Sequence, residues 1–213
     1  MAARHPQRPL VLAIDGPAAS GKGTLAKLLA AHYGLPHLDT GLIYRATARA
    51  VLDAGQSLDD ADAATAAAGA LDATQLDESR LRGREMGEAA SVVAAIPTVR
   101  QALLDVQRRF AAAPLGAVLD GRDIGTVICP EAAVKLYVTA NAQVRAHRRW
   151  LEVGGEESQV LAEVQERDAR DMARADAPLR AAEDAVVIDT SEMGIVEAVE
   201  QAVAVVAERL AHG

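Results

Sequence analysis

The segment Gly16-Pro17-Ala18-Ala19-Ser20-Gly21-Lys22-Gly23-Thr24 constrains this chain more than any other feature. It follows Pro9-Leu10-Val11-Leu12-Ala13-Ile14-Asp15, a short apolar run of the kind that forms a strand buried on both faces of a parallel sheet. Beyond it, Leu25, Leu28, Leu29 and His32 recur at helical spacing, and Gly34 with Pro36 supplies a stop. Strand, G-x-x-x-x-G-K loop and helix in that order form a phosphate cradle. The glycines let backbone N–H groups converge on phosphate oxygens, the helix directs its positive end at the same point, and Lys22 reaches the outer phosphates. Gly16 through Thr24 are therefore the expected contacts of a nucleoside triphosphate. The usual hydroxyl directly after the lysine is replaced by Gly23 and arrives only at Thr24, so no direct metal ligand is assigned.

Similar apolar runs at Ala117 to Asp120, Val134 to Val138 and Ala185 to Asp189 each precede a helical segment, and this alternation predicts an α/β fold with a doubly wound parallel sheet. The last helix carries Ile195, Val199, Ala202, Val206 and Leu210 on one face, with Asp189-Thr190-Ser191 near its start. From about Leu38 to Pro97 strands give way to helical patterns, so residues 40–96 read as an insertion, with Ala61 to Ala70 a solvated helix inside it. Val153-Gly154-Gly155-Glu156-Glu157 separates two strongly charged helices and has the glycines of a mobile flap, which marks residues 150–166 as a lid.

At 213 residues the chain suits a single domain, 1–213. A net charge of −8 argues against nucleic acid as a partner, and 2% aromatic residues are too few for a base-stacking platform. No run approaches the ~20 apolar residues of a membrane span and no apolar signal region precedes the first strand, so a cytoplasmic location without a membrane partner is expected. Without a coiled coil or apolar patch, a monomer is the default. Cys129 stands alone and reads as a small buried hydrophobe rather than a disulfide or metal ligand. His32, His37 and His147 lack a second histidine or carboxylate at ligand spacing and read as packing or solvated residues, and Arg49 and Arg80 as solvated.

Two clusters of charge remain. In the helix after the flap, Val160 and Val164 mark an apolar face that steps of three and four residues extend to Arg167, Asp171 and Arg174. Inward arginines need an anion or a carboxylate, and this helix alone leaves two answers open, a bound phosphate or an internal network through Asp171 and Asp168. Asp120-Gly121-Arg122-Asp123 ends an apolar strand at the edge where ligands of open α/β sheets sit. Arg122 there can fork a phosphate, the alternative being an Asp-Gly turn with a solvated arginine.

Gly-Lys-Gly-Thr in the loop resembles the nucleoside monophosphate kinases. Five further segments carry the likeness: Leu38-Asp39-Thr40-Gly41-Leu42-Ile43-Tyr44-Arg45, Ala90 to Pro97 with Val99-Arg100, Asp120-Gly121-Arg122-Asp123-Ile124-Gly125-Thr126-Val127, Arg145-Ala146-His147-Arg148-Arg149, and Glu166-Arg167-Asp168 with Arg170-Asp171 and Arg174. In order and spacing they resemble the bacterial cytidylate (CMP/dCMP) kinases over nearly the whole chain. The resemblance implies a P-loop kinase with a five-stranded sheet, an acceptor-binding insert and a short lid, using ATP to phosphorylate CMP and dCMP. It implies magnesium bound mainly through water and the phosphates. Arg45 and Arg122 would hold the monophosphate, with Thr40, Tyr44 and Asp123 among the acceptor contacts. Ser91 and Arg100 would read the base, and Arg167, Asp171 and Arg174 would hold the ribose and phosphate end. Arg145 and Arg148 would touch ATP, with Arg149 a further candidate to fold over the transferring group, and Lys22, Arg122, Arg148 and Arg167 would be the catalytic charges.

The base readers make chemical sense, since cytosine presents an acceptor at N3 to an arginine and an amino donor at N4 to a serine oxygen, whereas uracil has N3–H and O4. Ser91 alone would read as a helix-surface hydroxyl. An ionised acceptor phosphate needs no general base, so Asp120 and Asp123 are assigned to orientation or water-mediated magnesium contact. Between Leu71 and Ser91 the chain is shorter than the family pattern, leaving only Leu76 to Arg82 where an antiparallel sheet is expected. Two competing readings are a kinase for UMP or shikimate, which would not need Ser91 and Arg100, and a regulatory module that binds ATP without transferring phosphate.

Overall fold

The computed structural model describes residues 9–72, 76–81 and 83–212. Five parallel strands, β1 (Leu10–Asp15), β2 (His37–Asp39), β3 (Gly116–Gly121), β4 (Val134–Thr139) and β5 (Val186–Asp189), lie in the order β2-β3-β1-β4-β5. The central β1 pairs with β3 from Leu10↔Gly116 to Asp15↔Gly121, which brings the carboxyl ends of the two strands level. β2 is three residues long, too short to show a period of its own. It exists because the edge of β3 supplies its partners, His37↔Val118, Leu38↔Leu119 and Asp39↔Asp120.

Alternate side chains of β1 enter opposite layers, as a doubly wound sheet requires. Leu12 and Ile14 pack with Leu25 and Leu29 of α1 (Lys22–Tyr33) and with Ala202 and Val206 of α9 (Ile195–His212). Ala13, with Leu119 of β3, meets Ile43 and Ala48 of α2 (Thr40–Asp53), Val93 of α5 (Arg84–Val93) and Leu103 of α6 (Pro97–Ala111). In α1 only part of the expected apolar stripe goes inside, since Leu28 is 42% exposed. Gly34, at φ 64, ends that helix by sending its N–H back to Ala30 and Ala31.

Among the described residues the segment between β2 and β3 is helical, as its pattern predicts, but one expectation is corrected. Helix α3 (Ala61–Gly69), capped by the Asp60 carboxylate, is not simply solvated. Ala64 and Ala68 are buried in the main core beside α2 and α6, because methyl side chains allow the helices to approach closely. Helix α4 (Glu78–Leu81) follows, and among the described residues there is no strand between Leu71 and Ser91, where Arg82 itself lies outside the described residues. The charged helices α7 (Ala142–Val153) and α8 (Glu157–Met172) are joined through Gly154 and Gly155, both at positive φ, and pack through Ala146, Val160 and Val164. Among the described residues no single helix is long and apolar enough to cross a membrane.

Candidate functional site

The loop after β1 is shaped by close approaches. A Cβ on Gly16 would stand 2.0 Å from the Val138 carbonyl oxygen, so only glycine lets the chain pass β4 there. Ala19 at φ 58 and Gly21 at φ 85 then turn the backbone, and α1 begins at Lys22 with its N–H end aimed back into the loop. Lys22 is buried, with Nζ donating to the Pro17 carbonyl at 3.2 Å. Burial, followed by the charge of Arg122, pushes its pKa down to about 7, although Asp120 and Asp39 act in the opposite sense.

Asp15, the last residue of β1, anchors this region. Its carboxylate accepts the N–H groups of Ile124 and Gly125, both at 2.8 Å, and ties the end of β1 to the wide turn Ile124–Ile128 after β3. Burial pushes its pKa up to about 7 against those two hydrogen bonds. The available signal was a carboxylate closing an otherwise apolar run.

Two clefts open beside the loop. The first is lined by Ala18 through Thr24 together with Asp39, Gly41, Arg45, Asp120, Gly121, Arg122, Arg149, Glu152 and Arg167. The second is lined by Thr40, Tyr44, Ser91, Arg100, Arg122, Asp123, Arg167, Asp171 and Arg174, with Gly41, Ala90, Ala94 and Gly121. Residues expected at an acceptor from α2, α5, α6, β3 and α8 thus converge on one cleft, while Arg45 faces the phosphate loop in the other. Arg122 and Arg167 belong to both.

Of the two answers left open for the charged helix, the internal network through Asp171 is present. Arg122 Nε donates to Asp171 Oδ2 at 2.8 Å, Arg174 Nη2 donates to Asp171 Oδ1, and Arg100 Nη2 donates to Asp123 Oδ2. Asp171 is nevertheless outnumbered. Although burial pushes its carboxyl up, the charges of Arg122, Arg174 and Arg167 hold it below the usual carboxylate range. Arg167 is lowered to about 10 by burial and by the neighbouring Arg122, and its Nε has no hydrogen-bond partner among the described residues. Such surplus cationic charge calls for an anion from outside the protein. Ser91 is equally suggestive, being 1% exposed with a hydroxyl that has no partner among the described residues. It is not a surface hydroxyl.

The three arginines of α7 diverge. Arg149 lines the phosphate-loop cleft, with hydrogen bonds to Glu152 and the Gly83 carbonyl. Arg148 lies on the other flank of the loop, bonded to the side chain and carbonyl of Thr190, and lines a groove with Gly21, Thr24, Met193 and Ile195. Arg145 is buried and engaged with the Asp168 carboxylate and the Ala140 and Ala18 carbonyls, so it braces the loop from beneath. Among the described residues Asp168 accordingly pairs with Arg145 and not with Arg167, Arg122 or Arg174.

Several expectations outside the clefts change. His37 has a carboxylate partner after all, Asp120 at 2.7 Å, supplied by the neighbouring strand and therefore invisible in local spacing. His147 meets Glu157 across the flap at 2.8 Å. Arg49 and Arg80 remain solvated as expected, both paired at the surface with the exposed Asp53. Cys129 packs partly buried at the core margin, where burial pushes its thiol up to about 11.

A glycine-rich loop at the carboxyl edge of a parallel sheet in this strand order, opening on basic clefts that meet at Arg122 and Arg167, places the protein among the P-loop kinases. More narrowly, the chain belongs to the cytidylate kinase family, whose family model matches residues 12–208. It is 59% identical over 202 residues to the cytidylate kinase of Methylocella silvestris, covering 92% of this chain and 94% of that one. It is 65% identical over 181 residues to the cytidylate kinase of a Methylobacterium species, covering 83% and 86%. Among solved structures it shares its fold with a gluconokinase from Sinorhizobium meliloti, at a TM-score of 0.52, 16% identity and coverage of 94% and 93%.

Proposed function

We propose that this chain transfers the γ-phosphoryl group of ATP to CMP and dCMP. The observation that carries the reading is the convergence of Ser91 and Arg100 with Arg122, Arg167, Asp171 and Arg174 on a cleft that adjoins the phosphate loop. A base reader and a phosphate clamp then share one acceptor, and Arg122 and Arg167 stand where donor and acceptor phosphates would meet.

The acceptor oxygen belongs to an ionised phosphate, so the protein needs to position and neutralise rather than remove a proton. Lys22, Arg122 and Arg167 supply the charge together with Arg149, which lines the phosphate-loop cleft in place of the expected Arg148, tied to Thr190 on the other flank. The loop N–H groups and the start of α1 supply the dipoles. Thr24, Asp39 and Asp120 offer only oxygen donors beside the loop. That donor set suits magnesium, and among the described residues no group of three or more His, Cys, Asp or Glu would enclose a metal unaided. The fit is to an ion held largely by water and phosphate, which when bound offsets charge on the donor. The groove bearing Arg148, Met193 and Ile195 is the proposed place of the donor base.

The acceptor cleft has a volume of about 50 Å³, against the ~300 Å³ or more of ordinary ligand pockets. Loading therefore requires this cleft to widen, and the Arg84–Glu163 and Arg170–Glu88 pairs between α5 and α8 are contacts at its margin. Residues 40–96 act in this reading as the acceptor-binding region and 150–166 as the lid, within one kinase domain spanning 1–213. The working form is a cytoplasmic monomer acting on free nucleotides.

ADP release with magnesium and ATP against CMP, dCMP, UMP, AMP and shikimate tests the reading. CMP and dCMP accelerate release, and no acceleration by CMP would end it. Ser91→Ala is expected to lower kcat/KM for CMP by roughly tenfold to a hundredfold, because the cytosine amino group loses its acceptor. UMP turnover changes much less, so the ratio between the two acceptors is the quantity to measure.

A further inference from the structure

His37 and Asp120 lie on the same face of the sheet, because His37 stands opposite Val118 and Asp120 is two residues further along β3. Their atoms Nε2 and Oδ1 are 2.7 Å apart, and the side chains are 14% and 4% exposed. A buried carboxylate needs a donor here, so Nε2 carries the proton, as it can in both the neutral and the cationic ring. The other oxygen, Oδ2, lies 3.8 Å from where a Cβ on Gly23 would stand, at the first turn of α1. Thr40 Oγ1 holds the backbone of the same residue, donating to the Asp120 carbonyl at 2.8 Å. Asp120 is thus gripped on its main chain by α2 and on one carboxylate oxygen by β2, its second oxygen lies beside the first turn of α1, and the residue lines the cleft that also contains Lys22 and Thr24.

We infer that His37 is a positioning residue for the reaction proposed above. It occupies one oxygen of Asp120 and thereby turns the other towards the phosphate loop, where that carboxylate meets the water shell of a magnesium–nucleotide complex. A carboxylate without this tether would rotate about its side-chain bonds and hold that water poorly, and outer partners of this kind are worth about tenfold or more in metal affinity. The lever is the hydrogen bond and not the charge of the ring. Lys27, Asp39, Asp72, Glu78 and Arg109 line the cavity on the other side of His37 with mixed sign.

The test compares His37→Leu, which removes the donor, with His37→Gln, whose side-chain amide can reach the place of Nε2. Calorimetry measures ADP binding with magnesium and in EDTA, alongside steady-state turnover of CMP and thermal melting. His37→Leu is expected to lose about tenfold of the affinity gained from magnesium, with ADP binding in EDTA within about twofold of the parent, and His37→Gln to recover most of that loss. The inference is overturned if His37→Leu keeps the full magnesium gain, or if His37→Gln is as impaired as His37→Leu and both losses follow the melting temperature. Failure of the parent protein to phosphorylate CMP would instead strike the proposed reaction, while the magnesium-linked binding comparison keeps its meaning.

Discussion

Lys22→Met is expected to lower kcat on the order of a thousandfold while raising the melting temperature of the ligand-free protein. The first effect follows from removing the charge placed to meet the outer phosphates, a preorganised contact in a site shielded from water. The second follows from what Lys22 costs the fold. Its ammonium is buried, lies close to Arg122 and Arg167, and donates its hydrogen bond to a carbonyl. Methionine of similar length has no charge to bury. The pH dependence has a definite sign. The folded pKa, about 7, lies below the ordinary value of 10.5, so between those values the unfolded chain binds more protons at this position than the folded one. The penalty is complete below about pH 7 and fades as pH rises towards 10.5, and the parent gains stability relative to Lys22→Met across that window. Melting curves at pH 6.5 and pH 9 read this directly. A variant that melts below the parent at both values would show that Lys22 stabilises the fold.

Asp171→Ala is expected to lower the melting temperature by roughly ten degrees, and the loss is largely reversed by CMP. Asp171 is 1% exposed and holds Arg122 and Arg174, with Arg167 adding to the positive charge around it. Removing one partner of a buried ionic cluster costs about 3 kcal/mol or more, because the cations left behind repel one another without solvent. In a protein of this size each kcal/mol is worth about 2–4 °C. A bound acceptor phosphate supplies the missing counter-charge, so ligand and mutation offset each other. Arg174→Ala is the informative contrast. Asp171 keeps Arg122, so the melting temperature falls little, while acceptor turnover falls tenfold or more. If Asp171→Ala fails to fold, Asp171→Asn preserves the packing and carries the same comparison. Equal melting with and without CMP would remove Asp171 from the acceptor site.

Residue order alone is enough for the parts that depend on short-range contacts. A buried strand, a glycine-rich turn with a lysine and a following helix are contiguous, and each step has a local cause in periodicity, capping or backbone freedom. The charged face of α8 was legible for the same reason, since Val160, Val164, Arg167 and Asp171 recur at helical spacing. The family motifs extended that legibility to Ser91, Arg100 and Arg122, whose residue types alone leave bland alternatives open.

Which residues pair across the fold is settled by packing. β2 has no signal of its own and forms because β3 offers an edge. That pairing brings His37 to Asp120, across 83 positions of chain. Arg145 reads like its neighbours Arg148 and Arg149, yet one helical turn directs the first under the phosphate loop, the second to Thr190 and the third into the cleft. Asp15 looks like the end of an apolar strand until two N–H groups from a distant turn are brought to it. The phosphate loop is local, so sequence could determine it. The surroundings that set the pKa of Lys22, position Asp120 and oppose Asp171 to three arginines are assembled from separate elements, and side-chain proximity across elements is a property of packing that no local pattern encodes.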